Sequence, residues 1–494
     1  MNPLQQYALS QTRRQFFASS GISLGAAAFA TLGGKAVELA PMPHAGADTA
    51  TGLDAALAQT HFPTKCKNVI YLHMLGGPAQ MDLYDYKPKM VDYYDKDLPE
   101  TIRNGQRLTT MTSGQARFPI APSKYKFKQM GQCGMWMNEE LLKYTSKMAD
   151  DMVFIRSMHT EAINHEPAVT NMQTGNQVTG RPCIGAWVSY GLGSLNKNLP
   201  TFVVMVAKPS NTEQIQAISA RLWQSGYLPG QNAAVAFRAA SDPILYINNP
   251  PGVDEAIRRK TLDGVNKLNQ LGFDKTLDPE TQTRIAQYEM AFRMQTSVPE
   301  LADLSKEDAK TFELYGPDAK KPGTFANTVL TARRLVEKGV RFVQIYHNNW
   351  DHHGNLAVRM PDQCKDIDQA SYGLIQDLKR KGMFDSTLVI WGGEFGRTIY
   401  SQGGLSKTNY GRDHHPRCFT MWMAGGGTKG GTIFGETDDF SYNIVKDPCH
   451  IHDFHATILH LLGIDHNRFT FRYQGLDQKL TGVEKASPIK ELIA

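Results

Sequence analysis

The sequence predicts an α/β protein, a three-layer α/β/α sandwich built on a large, mainly parallel sheet. Three observations predict it. Apolar, strand-like runs alternate with helical stretches through the last third of the chain. A glycine closes the helix before the strand in two successive units, at Gly339 and at Gly382. Several strand-like runs end on carboxylates, one of them with histidines beside it, as at the carboxyl edge of an open parallel sheet.

The elements follow in order. Asn68–Leu75 (NVIYLHML) reads as a buried first strand, ended by Gly76-Gly77-Pro78. Residues 139–150 read as a helix and Met152–Ile155 as a short strand. Pro167–Gln173 reads as a proline-opened helix that stops at Thr174-Gly175. Leu199–Val206 is a further strand, and about 254–310 is charged and helical. Ala326–Lys338 and Val340–Tyr346 make one helix–strand unit, and Asp366–Lys381 and Thr387–Trp391 repeat it. Cys418–Ala424 is a strand, and Asp453–Leu462 is a helix with Asp453 as its N-cap. The expected division is an address segment over 1–47, a linker over 48–65 and one domain over 66–494, with 207–325 as a helical insertion.

Composition narrows the function classes. The 494 residues are 41% hydrophobic and 20% charged, which is globular and argues against long disorder. A formal charge of +5 is small for this length and calls for no nucleic-acid partner. The cysteines Cys66, Cys133, Cys183, Cys364, Cys418 and Cys449 form no CxxC pair and no dense disulfide framework. Histidine is the informative residue: ten of the 15 fall between His347 and His466.

The N-terminus reads as an address. Thr12-Arg13-Arg14-Gln15-Phe16-Phe17 precedes a mildly apolar, glycine-rich stretch and resembles a twin-arginine export signal, with Ala45-Gly46-Ala47 as a cleavage candidate. Export to the periplasm or cell surface by the twin-arginine translocase is the expectation. That route carries folded, cofactor-loaded proteins, which suits a metal centre. No other apolar run reaches spanning length, so the mature chain is expected to carry no integral membrane segment.

The candidate chemistry sits at the strand ends. Val340–Tyr346 runs into His347, Asp351, His352 and His353; Thr387–Trp391 runs into Glu394 and Arg397; the first strand is followed by Asp82 and Asp85. Gly411-Arg412-Asp413-His414-His415 precedes another strand. Mixed imidazole and carboxylate donors suit a divalent cation, zinc or manganese, as one ion or two. Such an ion polarises phosphoryl or sulfuryl oxygens. Arg156, Arg397 and Arg412 are the arginines near enough in sequence to clamp an oxyanion.

GGPAQMDLYDYKP (76–88), INHEPAVTNMQTG (163–175), WDHHGN (350–355), GGEFGRT (392–398), GRDHHPRCF (411–419) and HDFHATILHLLGID (452–465) resemble the domain-of-unknown-function 1501 family, from about residue 66 to the C-terminus. That family is placed in the alkaline phosphatase–sulfatase superfamily. The resemblance implies an alkaline phosphatase-like fold and hydrolysis of phosphate or sulfate esters at one or two metals. It places metal ligands at Asp351, His353, Glu394, His414 or His415, and Asp82. The position ten residues before Gly175, where the superfamily has a hydroxyl or formylglycine nucleophile, holds His165, flanked by Asn164 and Glu166. Phe395 stands where a histidine is usual.

The expected function is therefore an exported metal-dependent hydrolase of small-molecule or glycan sulfate or phosphate esters. His165 acts as ligand, base or nucleophile, Arg397 orients the oxyanion, and Arg412 and Asn164 bind substrate. Two rivals stay open: a non-catalytic, metal-containing protein that binds sulfated or phosphorylated glycans or an exported complex, and a phosphotransferase or isomerase.

Overall fold

Aliphatic and β-branched runs build the sheet, and the first of them shows why it must be an inner layer. β1 (Asn68–Met74) is buried along its whole length. Ile70, Leu72 and Met74 pack into one hydrophobic cluster and Val69 and Tyr71 into another, because successive side chains leave a strand on opposite faces. A strand apolar on both faces needs a covering layer on each.

The computed structural model describes residues 55–212, 216–238, 243–244 and 247–494; the twin-arginine stretch and its cleavage candidate lie outside the described residues. The further strands used below are β2 (Met152–His159), β3 (Phe202–Ala207), β4 (Val235–Phe237), β5 (Phe342–His347), β6 (Thr387–Gly392), β7 (Gly396–Ser401), β8 (Arg412–His415), β9 (Phe419–Ala424), β10 (Thr432–Phe434) and β11 (Cys449–His450). Eight of them join β1 in one nine-stranded sheet in the order β10-β2-β9-β6-β1-β5-β3-β4, with β11 beside β2. All its pairings are parallel except those of β9, which runs antiparallel to β2 and β6. β7 and β8 make a separate antiparallel ribbon.

The helices used below are α1 (Gln80–Leu83), α2 (His165–Thr174), α3 (Ile184–Leu192), α4 (Glu255–Thr276), α5 (Pro279–Ala302), α6 (Phe325–Glu337), α7 (Leu356–Arg380) and α8 (Ile451–Leu461). α6 and α7 send Val329, Leu330, Ile367 and Leu374 onto the face that carries Leu72. α3 and α8 send Ile184, Val188, Phe454 and Ile458 onto the face that carries Tyr71. The sheet is thus the middle of three layers, the expected α/β/α sandwich. α4 and α5 are capped by Asp254 and Asp278 and joined by the Arg259–Glu289 ion pair of 2.6 Å. Among the described residues, no helix is long and apolar enough to cross a membrane.

Three local expectations are corrected. Residues 139–150 are not an α-helix; the regular part is a 3-10 stretch, Thr145–Asp151, broken at Met148. α7 starts at Leu356 rather than Asp366 and carries Pro361 inside, which hides its first turns from a sequence reading. Asp453 is the third residue of α8, not its cap: His450 caps the helix, and the Asp453 carboxylate accepts the His450 backbone N–H at 3.2 Å.

Register brings the strand ends level. Met74 stands beside His347, His73 beside Gly392, and Ala207 beside His347. The loops that leave β1, β3, β5 and β6 therefore meet at one carboxyl edge, where open α/β sheets hold ligands. Gly76 allows them to meet. Its φ of +118° suits glycine, and a Cβ there would overlap the backbone of Trp350 and Asp351.

Candidate metal centre

The loop after β5 is fixed before it delivers any chemistry. Leu75 donates its N–H to the His347 carbonyl at 2.8 Å, and Trp350 donates its N–H to the Leu75 carbonyl at 3.1 Å. The fully buried Trp350 indole donates to His347 Nδ1 at 3.0 Å. Asp351 thereby stands over the end of β1, with His353 two residues on. β8 is held against the same loop: Arg412 donates its N–H to the His352 carbonyl at 3.0 Å. Gly411 lies so close to the His353 carbonyl that no side chain fits there. On the far side, α2 opens with His165 as its first residue and exposed Asn164 as its N-cap.

These elements converge on one oxygen. Asp351 Oδ1 lies 2.8 Å from His353 Nε2, 3.1 Å from His165 Nε2 and 3.5 Å from His414 Nε2. The four residues offer ligand atoms that all lie within 4.8 Å of one another. Each imidazole is anchored through its other nitrogen. His165 Nδ1 lies 2.6 Å from Glu394 Oε1, His353 Nδ1 2.6 Å from Gln402 Oε1, and His414 Nδ1 2.8 Å from the Ile163 carbonyl. All three partners are acceptors, so each Nδ1 must carry the proton and each Nε2 keeps its lone pair. The Nε2 atoms of His165 and His414 are buried and make no hydrogen bond. Buried lone pairs aimed at one carboxylate fit a metal ion, since such atoms are otherwise costly to leave unpaired.

Charge is distributed to match. Burial would raise the Asp351 carboxyl, but the Arg397 guanidinium and the three histidines hold it well below the usual carboxylate range. Burial would likewise raise Glu394, yet His165 and His73 beside it bring it down to about 2. Burial alone would lower His165, but Asp351 and Glu394 outweigh that and raise it. His414 falls to about 4, through burial first and then the neighbouring positive charges, against the pull of Asp351. The side chains of His165 and His353 keep 15% and 18% exposure against 4% for His414, so the centre opens on the His165–His353 side.

The structure brings together His165, Asp351, His353 and His414 and corrects other sequence expectations. Glu394 stands one layer behind His165 and is sealed from solvent; its oxygens accept the Gly76 N–H at 2.9 and 3.2 Å. Arg397 is fully buried: it donates to the carbonyls of Gly76, Gly77 and Arg412 and, at 2.6 Å, to Asp351 Oδ1. Asp82 is absent from the cluster because Arg412 and Tyr410 hold it, at 2.7 and 2.8 Å. That buried pair also engages the Arg412 guanidinium, which donates besides to the carbonyls of Thr398, Ile399 and Ala121. His415 points to the other face of β8, where Nε2 meets the Tyr442 carbonyl at 2.7 Å. Arg156 donates to the Gly435 carbonyl.

Four further residues shape the centre, three of them without a sequence signal. Gln216 donates to Asp351 Oδ2 at 2.7 Å, and Gln402 orients His353. Buried His73 lies 3.5 Å from Glu394 Oε2. Phe395 packs its ring 4.9 Å from that of His165 and 4.5 Å from that of His414, an apolar wedge between two imidazoles. Gln216 and Gln402 lie on segments with no motif, and His73 is hidden inside an apolar strand. Only Phe395 sits in a string already singled out.

The model of a family described as Protein of unknown function (DUF1501) matches residues 66–493. No curated protein sequence matches the chain. Solved structures overlap it weakly. Ps i-CgsB in complex with k-i-k-neocarrahexaose is 11% identical, over 81% of this chain and 72% of its own, at a TM-score of 0.33. PsFucS1 sulfatase from Pseudoalteromonas sp. is 13% identical, over 81% and 68%, at 0.32. Alkaline phosphatase from the Antarctic bacterium TAB5 is 10% identical, over 81% and 99%, at 0.28. The α/β class stands on the strand order itself rather than on these overlaps.

Proposed function

The chain belongs to the DUF1501 family, and from that membership and the four-residue centre we propose that it is an exported, metal-dependent hydrolase of phosphate or sulfate esters. The observation that carries the reading is the set of three histidine Nε2 lone pairs facing Asp351 Oδ1, each fixed by a proton on its Nδ1. His165, His353, His414 and Asp351 would hold one divalent ion, zinc or manganese by the donor set. Such an ion supplies Lewis acidity toward a phosphoryl or sulfuryl oxygen and toward water.

The chain's own groups do the rest. Glu394 keeps the His165 proton on Nδ1 and thus its lone pair on Nε2. Gln216 and Arg397 hold the two oxygens of Asp351 in place, and Arg397 offsets its charge. Substrate approaches from the His165–His353 side, the one that water reaches. In this reading His165 is a ligand, so no side-chain nucleophile is required. Export rests on Arg13 and Arg14 ahead of the apolar, glycine-rich stretch.

The test is metal content together with turnover. The purified chain should hold stoichiometric metal and hydrolyse 4-nitrophenyl phosphate or sulfate, and His353→Ala should lose both properties. A chain without stoichiometric metal overturns the proposal. One observation favours a second reading, a non-catalytic binding protein: an imidazole opens α2 where the superfamily has its nucleophile. Metal with no turnover of either ester would select it.

A further inference from the structure

A cavity of about 340 Å³ shares a wall with the metal centre. Ile163 belongs to both, since it lines the cavity while its carbonyl anchors His414. The other shared element is β8, where His414 serves the metal centre and His415 lines the cavity. Arg107, His159, Thr160, Glu161 and Arg417 also line it, beside Pro416, Ile444 and Pro448.

The two arginines make this cavity unusual. Neither the Arg107 nor the Arg417 guanidinium makes a hydrogen bond or an ion pair with any described residue, and both are exposed. The carboxylate in the wall, Glu161, meets His450 Nε2 at 2.7 Å and makes no ion pair with either arginine. His415 contributes no positive charge near neutrality, because burial brings it down to about 4. The Arg107 loop is also held in place. Thr109 and Thr112 both donate to the Asp413 carboxylate, the latter at 2.5 Å, and Gln106 donates to Asn443. Two unpaired guanidiniums, one on a pinned loop, are a preorganised receptor for an oxyanion. The volume is at the small end of ligand pockets, which span about 300–1,000 Å³.

We propose that this cavity is an anion subsite that receives a second sulfate or phosphate group of the same substrate molecule, so that the preferred substrates are esters with at least two oxyanion groups. The inference rests on the ester-hydrolase reading for the group that enters the metal centre. Arg107 and Arg417 bind the second group, and Ile163 and β8 lie between the two.

Calorimetric titration of the full chain with its metal tests the subsite. The probes are maltose carrying one sulfate, two sulfates on adjacent sugars, one phosphate, or two phosphates on adjacent sugars. In one of the two series the doubly substituted sugar should bind about tenfold or more tightly than the singly substituted one. In an Arg107→Ala/Arg417→Ala double variant that keeps wild-type metal content, the ratio should fall to about two, the statistical value for two equivalent groups. A ratio of two or less in the wild type, an unchanged ratio in the variant, or no binding of any probe overturns the proposal. Release of sulfate or phosphate from the same samples reports separately on the hydrolase reading. Preference without release keeps the subsite and removes the enzyme; release without preference does the reverse.

Discussion

The two oxygens of Asp351 face different neighbours: Gln216 meets Oδ2, while three histidines and Arg397 crowd Oδ1. A group so placed loses its metal when a ligand goes and loses affinity when a support goes. Gln402→Leu removes the acceptor that fixes the His353 tautomer, and metal affinity should fall about 10- to 100-fold with the ligands intact, read by competition with a chelating dye. Glu394 has a consequence in pH. Its carboxyl is lowered from 4.5 to about 2 in the folded chain, by His165 and His73 acting against burial. A folded value below the ordinary one stabilises fully above about pH 4.5 and is lost as pH falls toward 2. Thermal midpoints of metal-free protein should therefore drop over that window, and Glu394→Gln should flatten the drop.

At the scale of elements, the buried Asp82–Arg412 pair ties the short helix α1 to β8, the strand that carries His414. Removing one partner of a pair closed to water on both sides leaves an unpaired buried charge, a loss of about 3–5 kcal/mol. Asp82→Ala should lower the denaturation midpoint accordingly, while folded protein at low temperature keeps its metal; a ligand role for Asp82 would instead lose metal first. Gly76→Ala tests the meeting of β1 with the Asp351 loop. The clash with the Trp350 and Asp351 backbone and the positive φ should cost more than about 1 kcal/mol in urea denaturation and weaken metal binding together. Element types were legible where period and punctuation agreed, as in α6 with its glycine and β5 behind it. They failed where a proline lay inside a helix, as in α7, or where polar turns mimicked helical spacing, as over 139–150.

For the whole molecule, the proposed metal centre and the proposed twin-arginine export make a consistent pair, since that route carries chains already folded and so loaded with metal before transport. Replacing Arg13 and Arg14 by lysine should leave the chain in the cytoplasmic fraction on cell fractionation, with the metal content of the purified protein unchanged. By itself the sequence determined the fold class, the strand ends where chemistry gathers, and Asp351, His353 and His414 as candidates, because period and residue type are local properties of the chain; His165 became a candidate only through the family resemblance. Tertiary structure alone decided which candidates meet. His414 and His415 are adjacent in sequence, yet strand alternation sends one to the metal centre and the other to Tyr442. Glu394 and Arg397 read as site groups, but packing turned one into the support of His165 and the other into a buried clamp on Asp351. Gln216, Gln402 and His73 carry no motif and join the centre through long-range contacts, which residue spacing does not encode.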